Sequence, residues 1–171
     1  MTYENTGSAL AIYPFRRGYG YVLFESPGAG ADWGVRFIEG TLATRNARTA
    51  ADIEALLDRY VPDYVILQDV RKGQARRSAR LVRLHAAIAH AAKVRAIDVV
   101  PIAPQAVEAT FDSVGARSKY EIAQAVAREF PPLAHRLPVR RRRAWDAEAA
   151  VMAMFDAAAL AIAFYGHRRP R

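Results

Sequence analysis

Tyr64-Val65-Ile66-Leu67-Gln68-Asp69 is the stretch on which the fold turns. Its first four residues form a short, continuously apolar run, which suits a strand covered on both faces. Pro62 separates it from what precedes. Downstream, the spacing of Leu81, Leu84 and Ile88 predicts a helix over about Ala75 to Lys93, with Arg76, Arg80 and Arg83 on another, strongly basic face. Ile97 to Ile102 reads as a second buried strand, and Pro104 sits at the first turn of a short helix. Strand, helix, strand implies a crossover and parallel pairing.

Upstream, Leu10 to Tyr13 and Tyr19 to Glu25 are β-rich runs separated by a turn carrying Pro14 and Gly18, and they read as a hairpin. After the Ser26-Pro27-Gly28 turn, Trp33 to Ile38 supplies a third strand. Thr49 followed by Asp52 predicts a capped helix start, the helix running to about Arg59 with Ile53, Leu56 and Leu57 on one face. Ser118 with Glu121 opens another helix to about Phe130, which Pro131-Pro132 ends. A basic linker containing Arg140, Arg141, Arg142 and Arg143 follows, then a helix over about Asp146 to Tyr165. The expected class is α/β: a mixed sheet, with a three-strand antiparallel meander followed by alternating helices and parallel strands. That is the ribonuclease-H-like order, with residues 1–171 as one domain.

Composition narrows the partners. With 52% apolar and 25% charged residues, the 171-residue chain has the make-up of a globular protein with a core. A formal charge of +8 and a pI near 10.2 favour a polyanion, nucleic acid above all. Cysteine is absent, which removes disulfides and thiolate zinc sites and makes a cytoplasmic location the expectation. The short polar start, Met1 to Gly7, does not resemble a secretory signal. The most apolar stretch, Ala149 to Tyr165, is interrupted by Asp156 and falls short of the roughly 20 residues that span a bilayer, so no membrane association is expected.

Four segments, in order over about Leu10 to Tyr165, resemble the RuvC-type Holliday-junction resolvases. Leu10-Ala-Ile-Tyr-Pro14 with Gly18-Tyr-Gly20 is similar to the family's first strand and turn, where an Asp normally precedes the Pro. Val65-Ile-Leu-Gln-Asp69 is similar to the strand whose end bears a Glu. Gly115 to Phe130, with Lys119, resembles the glycine and lysine segment before a helix. Phe155-Asp-Ala-Ala-Ala-Leu-Ala-Ile-Ala163 resembles the final Asp- and Ala-rich helix.

The resemblance implies phosphodiester hydrolysis by two magnesium ions on converging carboxylates, and a homodimer. Here the first two acidic positions are occupied by Tyr13 and Gln68. An amide oxygen is a neutral ligand, and a phenol with a pKa of about 10 would have to ionise to replace a carboxylate. The resemblance thus leads to a degenerate site: Tyr13, Gln68 and Asp156, with Asp69 and Glu148 as further candidates. Asp156 is the expected metal ligand if the site is still active. Strand alternation aims Asp69 away from Gln68 and suggests a solvated carboxylate paired with Arg71 or Lys72. Asp156, within an apolar helix, calls for a polar cavity or a basic partner. Glu148, two turns earlier, also suits a helix N-terminus. His85, His90 and His135 lack metal-ligand spacing.

Arg71, Lys72, Arg76, Arg80, Arg83, Lys119 and Arg140 to Arg143 are the expected nucleic-acid contacts. The leading function is a RuvC-like module that binds branched or structured DNA, or RNA, with lost or impaired nuclease activity and no cofactor. One alternative is an active magnesium- or manganese-dependent endonuclease using Asp156 with Asp69, Glu148 or Asp112. Another is a non-catalytic assembly subunit that meets an acidic protein.

Overall fold

The computed structural model describes residues 6–70, 79–138 and 146–166, and only the backbone of 146–149. The expected contacts Arg71, Lys72, Arg76, Arg140, Arg141, Arg142 and Arg143, the start of the long basic helix, and the Glu148 side chain lie outside the described residues.

Among the described residues, five strands form one sheet in the order β3-β2-β1-β4-β5. β1 (Ala9–Phe15), β2 (Gly18–Ser26) and β3 (Ala29–Phe37) are the antiparallel meander. β4 (Tyr64–Gln68) pairs in parallel with β1 on one side and β5 (Asp98–Ile102) on the other, as the strand–helix–strand pattern requires. Pro101 falls in the edge strand β5, where a missing N–H is tolerated.

Helices cover both faces. α1 (Leu42–Tyr60) and α2 (Ala79–Val94) cover one, where Leu10, Ile12, Val65 and Leu67 meet Ile53, Leu57, Leu84 and Ile88. α3 (Pro104–Asp112), α4 (Lys119–Glu129) and α5 (Asp146–Gly166) cover the other, where Ala9, Ala11, Val22, Phe24 and Ile66 meet Phe111, Val126 and the long run from Met154 to Tyr165. The two clusters take alternate residues of β1 and β4, the period-2 signature of strands buried on both sides. Among the described residues no helix is long and apolar enough to cross a membrane.

Four expectations need correcting. The first hairpin turn is tighter than read: Pro14 pairs with Tyr19 and Phe15 with Gly18, leaving Arg16-Arg17 as the turn. Pro14 is tolerated because pairing of β1 with β4 has already ended at Ala11. β3 begins at Ala29, four residues before Trp33; irregular register between Leu23 and Ser26 of β2 breaks the alternation that would have revealed it. α1 begins at Leu42, where the Thr41 N–H donates to Thr44 Oγ1. Thr49 is no cap: it is buried, and its hydroxyl donates to the Arg45 carbonyl. Its first two turns carry little apolar periodicity, so the sequence pattern hides them. Pro131-Pro132 opens a 3-10 turn (Pro131–Arg136) that buries Leu133, rather than leading straight into a linker.

Candidate functional site

At the carboxyl ends of parallel strands the sheet offers side chains on both faces, and crevices form there. Ala11 pairs with Ile66, two residues before Tyr13 and Gln68 on their strands. Tyr13 packs against the α5-side cluster, and Gln68 follows Ile66 on that side by alternation. Both are half-buried.

α5 approaches this end of the sheet closely. Gly20, paired with Tyr13, lies so near α5 that a Cβ there would come within 2.4 Å of the Ala153 carbonyl carbon and the Met154 nitrogen. The small-residue contact sets the depth of α5 and so of Asp156 two residues on. α4 supplies the fourth member. Its first residue, Lys119, follows a capping box in which Ser118 Oγ accepts the Glu121 N–H and Glu121 accepts the Ser118 N–H.

Lys119 Nζ lies 3.3 Å from Asp156 Oδ2 and 5.6 Å from the centroid of the Tyr13 ring. The Asp156 side chain is 18% exposed and that of Lys119 is 70% exposed. Burial pushes the Asp156 carboxyl up, and the Lys119 ammonium pulls part of that shift back. Burial works to lower Lys119, but the Asp156 carboxylate and then Tyr13 outweigh it and leave its pKa raised. The structure thus joins Asp156, Tyr13 and Lys119, with Gln68 on the same face at the end of the neighbouring strand.

Asp69 goes elsewhere. Its backbone N–H donates to the Ile102 carbonyl at 2.7 Å, and it lines a cavity with Val82, His85 and Ala86 of α2. It is buried, 8% exposed, not the solvated carboxylate the sequence suggested, because α2 and β5 close over the strand end. Asp112, another candidate acid, accepts from Arg117 at 3.0 Å. Of the basic groups, Arg80 donates to Asn46 Oδ1 and to the Arg16 carbonyl, while Arg83 is exposed and bonds within its own helix. Trp33 packs edge-on against Phe130, and His85 is buried.

The described side chains at this end of the sheet do not suit a pair of magnesium ions. That chemistry asks for several anionic oxygens. Among the described side chains, one carboxylate, an amide and a phenol share the end of the sheet with an ammonium. Among the described residues no three His, Cys, Asp or Glu side chains come together as a metal site.

Replacing Lys119 by methionine strips Asp156 of its cation and raises its carboxyl further. A carboxyl raised on folding contributes stability that is present below its unfolded value and lost as pH rises through the folded one. The variant is therefore expected to be about 1 kcal/mol less stable than the parent at pH 7, a modest figure because Lys119 is largely exposed. The gap closes as pH falls to about 4. Urea unfolding across that range measures it, and a gap independent of pH would refute the coupling.

No model of a known protein family matches the sequence, and comparison with curated proteins finds no match. Solved structures do. Thermus thermophilus RuvC superposes with a TM-score of 0.65 at 21% identity, over 94% of this chain and 95% of that one. T. thermophilus RuvC in complex with Holliday junction substrate gives 0.69 at 18%, over 95% of each. The yeast mitochondrial Holliday junction resolvase Ydc2 gives 0.61 at 11%, over 96% of this chain and 81% of that one. With the mixed five-stranded sheet and its helices in matching order, these likenesses establish a RuvC-type, ribonuclease-H-like fold for this chain.

Proposed function

We propose that this chain is a RuvC-like protein that binds branched or structured DNA without cutting it. The observation that carries the reading is the Lys119 ammonium on Asp156 and over the Tyr13 ring. The protein's own cation compensates the one described carboxylate of the site. An ammonium there repels a divalent ion and leaves Asp156 less free to ligate one. Neither Tyr13 nor Gln68 supplies a carboxylate.

The DNA half of the proposal draws on the net charge of +8 and on a similar fold that holds a Holliday junction substrate. Labelled four-way junction, duplex and single strand should each be tested in mobility-shift assays, with cleavage followed in magnesium and in manganese. The expected result is junction binding that weakens steeply with salt, and intact strands in either metal. Cleavage that disappears in an Asp156→Asn variant would overturn the non-cutting reading. The absence of any binding at low salt would overturn the DNA reading.

A further inference from the structure

Across the sheet from Asp156, three arginines gather with no carboxylate paired to them among the described residues. Arg16 is the first residue of the β1–β2 turn, Arg45 lies in the first turn of α1, and Arg80 is the second described residue of α2. The Arg16 carbonyl draws them together: it accepts from Arg80 Nη1 at 3.0 Å and from Arg45 Nη1 at 3.4 Å. Arg45 Nη2 donates to the Gly40 carbonyl, and Arg80 Nε to Asn46 Oδ1, so both guanidiniums are held in place.

Among the described residues no acid neutralises their charge. None of the ion pairs among the described residues involves Arg16, Arg45 or Arg80. The chain leading into α2, residues 71–78, contains no Asp or Glu. Burial first, then the charges of Arg45 and Arg16, press the Arg80 pKa downward. Arg45 Nε is buried with no acceptor among the described residues. The Arg16 side chain is exposed and makes no described hydrogen bond, so its donors are available.

Arg16 and Arg80 also line a cavity of about 290 Å³ with Pro14, Phe15, Leu81 and Leu84. Charged guanidiniums kept close by backbone carbonyls, above an apolar floor, are arranged for an anion that satisfies both at once.

We propose that Arg16 and Arg80, with Arg45, seat a phosphate of the nucleic-acid backbone on the α1–α2 side of the sheet. The site rests on the nucleic-acid reading above and deepens it. The Tyr13–Gln68 end and this arginine group share the carboxyl-terminal end of β1 but lie on opposite faces, so a bound strand crosses the end of the sheet rather than following one side. Phosphate contacts of this kind set position, not sequence.

Fluorescence anisotropy of a labelled four-way junction and a labelled duplex tests the site, from about 50 to about 200 mM salt. Arg16→Ala spares the carbonyl that holds Arg45 and Arg80, so its fold is expected to be intact and its unfolding curve to match the parent. Its plot of log affinity against log salt should be shallower by about one, on both DNAs. Arg16→Glu should lower the slope further. Arg117→Ala, which removes an arginine already paired with Asp112, is the control and should keep the parental slope. If the parent binds and Arg16→Ala binds with the same slope and affinity, the phosphate seat is wrong. If the parent binds neither DNA, the nucleic-acid reading fails first and takes the seat with it.

Discussion

Replacing Gly20 by valine is expected to lower the unfolding free energy by about 3 kcal/mol or prevent folding. The position sits in β2 opposite Tyr13, and even a single Cβ would press on the α5 backbone at Ala153 and Met154. The obstacle is main chain, which cannot swing aside as the tip of a side chain does. α5 would have to lift from the sheet, opening the contacts of the buried Ala153 and of Met154, Ala157 and Ala158 in the core on that face. Denaturant unfolding measures the loss. In survivors, displacement of Asp156 from Lys119 is readable as a changed carboxyl titration. A variant as stable as the parent would show that α5 does not pack on β2 at this depth.

The second large effect is a gain. The double variant Tyr13→Asp, Gln68→Glu places two more carboxylates at the strand ends where Asp156 faces the sheet. In the absence of metal those charges repel, so their pKa values rise. The variant should lose stability relative to the parent as pH climbs from about 4 to 7. Divalent ions reverse this. At a manganese concentration about 100 times the dissociation constant, binding to the folded state alone adds about 2.7 kcal/mol. The thermal midpoint of the variant should therefore rise with manganese while that of the parent stays level. A parent that responds as strongly as the variant would contradict the proposal that Lys119 keeps divalent ions from Asp156.

Much of the architecture was legible because it depends on local pattern. Tyr64 to Leu67 announced a doubly covered strand, and the sheet buries it between two helical layers. The Ser118–Glu121 capping box placed α4, and with it Lys119. Local pattern failed where tertiary contacts replaced it. The first turns of α1 are polar on most sides because Arg45, Asn46 and Arg48 bond to the backbone of Gly40, Arg80 and Glu39. A reader looking for apolar periodicity starts the helix at Thr49 and leaves Arg45 out of consideration. Asp69 misled for a related reason: its exposure depends on α2 and β5 folding over it, which no neighbour in sequence reports.

The order of strands and helices, the net positive charge and the identities of Tyr13 and Gln68 are properties of the chain as written. Which charges meet was decided only in three dimensions. Lys119 and Asp156 are 37 residues apart and Arg16 and Arg80 are 64 apart. Coulombic coupling depends on separation in space and on burial, and neither is a function of distance along the backbone.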